Sequence, residues 1–176
     1  MRLFIAINFD EKTKENLITV QNNLRKLGRG NFSRPENLHL TLAFLGEVSP
    51  ERVTEICRVM DQLTVPVLNI SFDHVSRFKR DGGDVWWIGL GENKNLIILQ
   101  KELAERLRTA GFPIENRSFL PHVTLARKVK LEDKQENIKI LKEPFNTVAN
   151  KISLMLSHRI DGKLTYTEQY SVQSEM

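Results

Sequence analysis

Several features that would assign this 176-residue chain to other protein classes are absent from it. It has a single cysteine, Cys57, so an internal disulfide cannot form and a cysteine-based metal site lacks partners. We therefore interpret Cys57 as a small core residue. No run of about 18 apolar residues occurs, which argues against a transmembrane helix. The opening apolar run is short and soon meets Asp10 and Glu11, which is atypical of a signal peptide. We therefore expect a cytoplasmic protein with no membrane partner.

Charge and composition narrow the function only slightly. The hydrophobic fraction of 40% and the charged fraction of 27% are ordinary for a globular domain. A net charge of +4 suits a polyanionic ligand, but many proteins without a nucleic-acid role share it. The length is enough for one domain, or for two small lobes that share a core.

Hydrophobic periodicity predicts a mixture of helices and strands. We predict helices over Asp10–Leu27, from Ser49 to Leu63, over Asn93–Ala110 and, as a weaker segment, between Leu131 and Pro144. Strands are predicted at about 2–8, 38–45, 67–78, 84–90, 119–127, 147–157 and 163–170. Asp81-Gly82-Gly83 and Asp161-Gly162 are typical of hairpin turns. The predicted fold class is α+β with largely antiparallel sheets.

An internal repeat is the most informative feature of the sequence. When the chain is shifted by 83 positions, the segment His39-Leu40-Thr41-Leu42-Ala43 falls on His122-Val123-Thr124-Leu125-Ala126 without a gap. Gly28 falls on Gly111, and each glycine is predicted to end a helix. We therefore expect residues 1–176 to form one domain of two pseudo-symmetric lobes, at about 2–46 and 85–129.

The repeated segment has one polar and one apolar face if it is a strand. Residues two apart in a strand point the same way, so His39 shares a face with Thr41, and His122 with Thr124. If the halves are pseudo-symmetric, these faces can meet across one central groove. Two imidazoles can act together as general acid and general base near pH 7, and threonine hydroxyls can donate to phosphoryl oxygens. No carboxylate lies within either segment, so we predict no metal site and no cofactor.

The repeat also pairs Phe44 with Arg127, and spacing leaves two interpretations of them open. Five residues after a histidine, each faces away from the groove unless the strand ends or bulges. If they reach the groove, a ring and a planar cation can clamp a nucleobase, and the arginine can meet phosphate. Otherwise Phe44 belongs to the core and Arg127 is solvated, which spacing alone favours. His74 and His158 have no partner in the repeat, and we interpret them as structural or surface residues.

The two motifs, in their contexts, resemble the twin signatures of the 2H phosphoesterases. The matching segments are Asn37-Leu38-His39-Leu40-Thr41-Leu42-Ala43-Phe44-Leu45-Gly46 and Pro121-His122-Val123-Thr124-Leu125-Ala126-Arg127. Within that superfamily they are most similar to the LigT-like RNA 2′,3′-cyclic phosphodiesterases, also called 2′-5′ RNA ligases. The resemblance covers nearly the whole chain and is looser from Ser153 to Tyr170.

This resemblance implies a fold, a reaction and roles for the matching residues. The fold would be bilobed, with antiparallel sheets lining a central cleft and helices outside. The reaction would be metal-free hydrolysis of an RNA 2′,3′-cyclic phosphate to a 2′-phosphate, with 2′-5′ ligation as its possible reverse. His122 would activate water and His39 would protonate the ribose 3′-oxygen, while Thr41 and Thr124 would hold phosphate oxygens. The resemblance also turns the preference for Phe44 and Arg127 towards contacts with the terminal nucleoside and phosphate.

Other functions remain open at this point. The same catalytic pair would serve a 2′,5′-oligoadenylate or an ADP-ribose cyclic-phosphate phosphodiesterase. A non-catalytic protein that binds RNA ends would keep the groove without turnover. The expected partner is RNA with a cyclic phosphate end, or a small cyclic nucleotide. Because both motifs come from one polypeptide, we expect a monomer.

Overall fold

The computed structural model describes residues 1–132 and 139–175. Its three α-helices are α1 (Glu11–Arg25), α2 (Val53–Asp61) and α3 (Lys94–Thr109). The strands are β1 (Arg2–Asn8), β2 (Gly28–Phe32), β3 (His39–Glu47), β4 (Leu68–Phe78), β5 (Asp84–Leu90), β6 (His122–Leu131), β7 (Phe145–Ala149), β8 (Lys151–Ile160) and β9 (Lys163–Gln173). Short 3-10 turns at Pro35–Asn37 and Pro50–Arg52 complete the regular structure of this part of the chain.

The nine strands form one antiparallel sheet. Their order is β7-β4-β5-β6-β3-β1-β8-β9, and β2 pairs with β6 outside this path. The predicted α+β class with antiparallel pairing is therefore confirmed. β3 and β6 are neighbours at the centre of the sheet, where Leu40 is paired with Val123. The two repeated motifs therefore lie side by side.

The main core lies between one face of the sheet and the helices. Leu40, Leu42, Val123 and Leu125 are buried in it, as the alternation within the motifs predicts. The helices contribute a row of leucines and a valine at helical spacing, namely Leu17, Val20, Leu24, Leu96, Leu99, Leu103 and Leu107. The histidines and threonines of the motifs thus project from the opposite, more open face.

The helix starts follow the sequence prediction closely in both halves. Asp10 precedes α1 and accepts a hydrogen bond from the Thr13 N–H at 2.8 Å. Asn93, which is 83 positions later, precedes α3 and accepts from the Leu96 N–H at 3.0 Å. These side chains satisfy donors that a helix start leaves unpaired. Gly111 follows α3 with φ of 92°, so its predicted role as a helix stop is confirmed.

The prediction for Gly28 was wrong. Helix α1 ends at Arg25, and Gly28 begins β2, a strand that the sequence did not predict. Gly28 is required by close approach of the chain, because a side-chain carbon there would lie 2.4 Å from the Lys130 carbonyl oxygen in β6. The sequence also places Ser49 as the N-cap of the second helix, but Ser49 makes no capping hydrogen bond, and a 3-10 turn separates it from α2.

Other boundaries differ less. The predicted strand at 147–157 is two strands, divided at Asn150. Both predicted hairpin turns are present, and Asp161 and Gly162 have φ of 51° and 76°, as a tight two-residue turn requires. About half of the helix predicted between Leu131 and Pro144 falls on 133–138, outside the described residues, and the described part of it, 139–143, is not helical.

Candidate active site

His39 and His122 begin β3 and β6, and the backbone orients both rings in the same way. The Nδ1 of His39 lies 2.7 Å from the carbonyl oxygen of Asn37. The Nδ1 of His122 lies 2.7 Å from the carbonyl oxygen of Leu120. A carbonyl oxygen only accepts, so each Nδ1 carries a proton and donates it. Each neutral ring therefore presents the lone pair of Nε2 for chemistry.

Both histidines and both threonines of the motifs line one cavity of about 300 Å³. The pairing of Leu40 with Val123 makes His39 and His122 diagonal neighbours on the open face of the sheet. Such neighbours lie roughly 7–8 Å apart across an antiparallel pair. This spacing leaves room for a small tetrahedral anion between the rings.

A β-bulge in each strand turns Arg127 and Phe44 towards the open face. The pairing shifts between Thr41 and Ala43 in β3, and between Thr124 and Ala126 in β6. An extra residue in a strand reverses the alternation after it. Arg127 lines the cavity with the histidines. The bulge that sequence spacing required for this placement is therefore present.

Phe44 lies on the same face but outside the residues that line this cavity. It is paired with Phe4, whose ring centroid is 4.9 Å from that of His39. Its side chain is 49% exposed, and the Arg2 guanidinium lies 4.8 Å from its ring centroid. Phe44 is thus an exposed aromatic surface next to the cavity. A contact between Phe44 and a nucleoside remains a prediction.

The surroundings of the two rings lower their proton affinity. Burial lowers the pKa of His39, the bond to the Asn37 carbonyl opposes this shift, and the charges of Arg127 and His122 add to it. Burial likewise lowers the pKa of His122, opposed by the bond to the Leu120 carbonyl and reinforced by Arg127 and Arg117. Both imidazoles therefore favour the neutral form without an anion present.

The two histidines differ in what their Nε2 atoms contact. The Nε2 of His39 lies 2.9 Å from the Thr41 hydroxyl oxygen, which donates to the neutral ring. The Nε2 of His122 has no hydrogen-bond partner among the described residues. His39 packs against Phe4 and Tyr166, and His122 against Trp87 and Phe78. Phe4, which packs against His39, and Trp87, which packs against His122, are themselves 83 positions apart.

Several residues that line the cavity were not predicted from the sequence, and Arg34, Asn37 and Tyr166 are three of them. Arg34 and Asn37 both donate to the Leu164 carbonyl oxygen, at 3.1 and 2.9 Å, and so join the segment before β3 to the start of β9. Tyr166 lies edge-on to His39, with ring centroids 5.2 Å apart, and burial raises the pKa of its phenol. All three line the cavity. Asn37 stands within the motif context, but no local pattern identifies Arg34 or Tyr166.

Potential metal ligands do not cluster in the described residues. Within 1–132 and 139–175, no three His, Cys, Asp or Glu side chains lie together in a way that could hold a metal ion. His74 and His158 lie apart from the cavity lining, on β4 and β8. The helices in this part of the chain are all too short or too polar to cross a membrane.

Comparison with known proteins identifies relatives over almost the entire chain. The sequence model of the LigT like phosphoesterase family matches residues 7–87 and, a second time, 88–166. The RNA 2′,3′-cyclic phosphodiesterase of Methanocaldococcus jannaschii is 35% identical over 149 residues, which are 84% of this chain and 83% of that protein. The Escherichia coli protein of the same name is 30% identical over 94% of this chain and 92% of its own length.

Solved structures give the same result. The fold is similar to that of E. coli LigT in its apo form, with a TM-score of 0.83 and 26% identity over 99% of this chain and 98% of that one. E. coli LigT complexed with 3′-AMP is similar with a TM-score of 0.82 and 27% identity, over the same shares of the two chains. The likeness therefore extends over the complete sheet and is not limited to the two motifs.

Proposed function

The chain belongs to the LigT-like phosphoesterase family, and we propose that it hydrolyses the 2′,3′-cyclic phosphate end of RNA to a 2′-phosphate, with His39 and His122 as the catalytic pair. The observation that carries this proposal is that both imidazoles line one cavity, each with Nδ1 fixed by a backbone carbonyl. Two such groups can accept and deliver a proton on opposite sides of one phosphorus atom.

His122 is the general base in this mechanism. Its Nε2 lone pair is free of protein contacts among the described residues, and its lowered pKa keeps the ring neutral. The contact of His122 with its backbone carbonyl is exposed, whereas that of His39 is half-buried, so water can reach His122 from solvent. A neutral ring with Nδ1 bound to a carbonyl can take the proton of that water through Nε2 as the water attacks phosphorus.

His39 is the general acid and protonates the departing 3′-oxygen of the terminal ribose. It lies beside Asn37 and Tyr166, which line the same cavity of about 300 Å³ and which we assign to the terminal nucleoside. The negative phosphate stabilises the second proton on the ring and so offsets the lowered pKa of the free site. Once Nε2 is protonated, the Thr41 hydroxyl no longer donates to it and becomes free to donate to a phosphate oxygen.

Thr124, Thr41 and Arg127 bind the phosphate oxygens, and Phe44 offers its exposed ring to the nucleoside. The positive charge of Arg127 reaches both histidines, as its effect on the pKa of each indicates. The same charge stabilises the additional negative charge that develops as water adds to phosphorus. Because donors and charges for every step come from protein side chains, the reaction needs no metal ion.

The repeat gives this site a simple origin. We infer that two pseudo-symmetric lobes each contribute one His-x-Thr strand. Helices α1 and α3 begin 83 positions apart, and so do strands β3 and β6. One chain then supplies the complete site, so a monomer is sufficient. With a 5′-hydroxyl in place of water, the same groups would join that hydroxyl to a cyclic phosphate end and form a 2′-5′ linkage.

Incubation of an oligonucleotide ending in a 2′,3′-cyclic phosphate with the protein in excess EDTA tests the proposal. We expect turnover and a product with a 2′-phosphate. Loss of activity with chelator, or a 3′-phosphate product, would contradict the proposed mechanism. Binding without turnover would instead identify an RNA-end binder. Competition with 2′,5′-oligoadenylate and ADP-ribose cyclic phosphate ranks the alternative substrates.

A further inference from the structure

His74 lies next to His122 on the open face of the sheet, although it belongs to neither motif. Its partner across β4 and β5 is Gly89, and Gly89 is also the partner of His122 across β5 and β6. Directly paired residues in an antiparallel sheet project from the same face. In this row of paired residues, Gly89, which has no side chain, is the one residue between the two histidines.

The imidazole of His74 occupies the space that the missing side chain leaves. A side-chain carbon on Gly89 would lie 2.3 Å from the His74 Nε2. The ring meets Trp87 edge-on, with centroids 5.7 Å apart, and Trp87 in turn lies 5.5 Å from the ring of His122. Nε2 of His74 therefore points along the open face towards the catalytic pair.

Asp73 determines which hydrogen bond His74 can make. A bulge in β4 between Phe72 and His74 leaves Asp73 without a paired partner in β5. The Asp73 carboxylate accepts the Nδ1 proton of His74 at 2.5 Å. The neutral ring then presents Nε2 as an acceptor, and the side chain is 49% exposed. This geometry suits a hydroxyl group that donates to Nε2.

The proposed chemistry indicates which molecule brings that hydroxyl. The terminal nucleoside lies on the His39 side of phosphorus, and the attacking oxygen lies on the His122 side. Water carries nothing beyond its attacking oxygen. An alcohol nucleophile carries a substituent, which must extend past His122, and His74 lies directly beyond His122 on the sheet.

We propose that His74, oriented by Asp73, binds the nucleoside of an attacking 5′-hydroxyl strand, with Nε2 accepting a hydrogen bond from its ribose 2′-hydroxyl. This inference rests on the proposed function. In the step, the 5′-oxygen forms a bond to phosphorus and gives its proton to His122. The bond from phosphorus to the 3′-oxygen breaks, and His39 gives its proton to that oxygen. The product is a 2′-5′ phosphodiester, so atoms and protons balance.

The test compares ligation with hydrolysis in three variants at one fixed pH. His74→Ala removes the acceptor, His74→Gln keeps an oxygen acceptor, and His158→Ala is the matched control. His158 bonds to Thr167 between β8 and β9, away from the cavity lining. The ligation substrates are a cyclic-phosphate oligonucleotide and a 5′-hydroxyl oligonucleotide. Hydrolysis is measured on a 2′,3′-cyclic mononucleotide.

We expect His74→Ala to slow ligation about five-fold, the size of one hydrogen bond, and to leave hydrolysis unchanged. His74→Gln should recover part of the loss, and His158→Ala should behave as wild type. A 5′-hydroxyl oligonucleotide whose first nucleotide lacks the 2′-hydroxyl should be ligated about five-fold more slowly by the wild type. The same change should not slow ligation by His74→Ala any further, because the hydrogen bond is already absent.

Three results would overturn the inference. They are unchanged ligation by His74→Ala, an equal loss in ligation and hydrolysis, and a wild-type protein that hydrolyses but does not ligate. The second result would make His74 a positioning residue that acts through Trp87. Failure of the wild type to hydrolyse the cyclic phosphate would instead contradict the proposed function itself.

Discussion

The two halves of the site share one backbone plan and differ in what surrounds it. Both histidines begin a central strand and bond through Nδ1 to the carbonyl oxygen two residues earlier, at the same distance of 2.7 Å. Both strands bulge after the threonine. Yet His39 is enclosed by Tyr166 and a hydrogen-bonded threonine, whereas Nε2 of His122 meets no protein acceptor or donor in the described residues. The two strands hold their histidines in the same backbone geometry, but the residues around the two rings differ. This difference can give His39 and His122 different roles in the reaction.

Removal of either imidazole should cause the largest loss of activity. We expect His39→Ala and His122→Ala each to lower kcat by at least about 10²-fold, because general acid and general base act in the same step. The double variant should lose little more than the worse single variant, since groups that act as a unit are not additive. Initial rates on the cyclic mononucleotide measure this, with His158→Ala as a control. Full activity in both single variants would contradict the account.

The residues that follow the two bulges should differ in effect. We expect Arg127→Ala to lower kcat/KM by about 10- to 100-fold, because a charged hydrogen-bond donor to phosphate is lost. Phe44→Ala should cost only a few-fold, mainly in KM, since its exposed ring lies outside the cavity lining. Steady-state kinetics separates the two cases. A larger loss for Phe44→Ala would show that nucleoside stacking outweighs phosphate binding.

The pH dependence of kcat/KM should show the effect of the Arg127 charge on both histidines. Because burial and Arg127 lower the pKa of both histidines, the bell-shaped kcat/KM profile of the free enzyme should centre below about 6.5. The profile of kcat should centre at higher pH, because bound phosphate favours the protonated rings. Arg127→Ala should move the kcat/KM profile upwards. A profile that Arg127→Ala leaves in place would argue against this electrostatic coupling.

The helix caps offer the mildest comparison of the two halves. Asp10→Ala and Asn93→Ala should each lower the free energy of unfolding by about 1 kcal/mol near neutral pH. The bond from Thr13 lowers the pKa of Asp10 in the folded state, so its contribution is complete above about pH 4 and is lost as the pH falls through the folded-state pKa. Asn93 does not ionise. Urea unfolding at several pH values should therefore show convergence with wild type at low pH for Asp10→Ala alone.

The sequence predicted those features of the fold that depend on residues close together in the chain, namely strand alternation and helix ends. Alternation within the motifs identified Leu40 and Val123 as core and the histidines as open-face residues. The start of the third helix near Asn93 followed from helical periodicity, and its end at Gly111 followed from helix-end chemistry. The bulges did not follow, because they arise from pairing with β1 and β5, and spacing alone left Arg127 facing the wrong way.

Long-range contacts account for what the sequence did not predict. β2 has two glycines and no alternation, and it is a strand because it pairs with β6. Arg34 and Tyr166 reach the cavity only because the chain between them folds β9 over the start of β3. The close approach of His74 to Gly89 likewise depends on the register of β4 and β5, which no single segment specifies.

The division of labour between His39 and His122 can be tested with a substrate in which sulfur replaces the ribose 3′-oxygen. A thiol is far more acidic than an alcohol, with a pKa of about 8.5, so a 3′-thiolate can leave without a proton donor. We predict that this substrate restores His39→Ala to within about ten-fold of wild type, while His122→Ala stays at least about 10²-fold slower. Rescue of His122→Ala in place of His39→Ala, or equal losses in both, would contradict it.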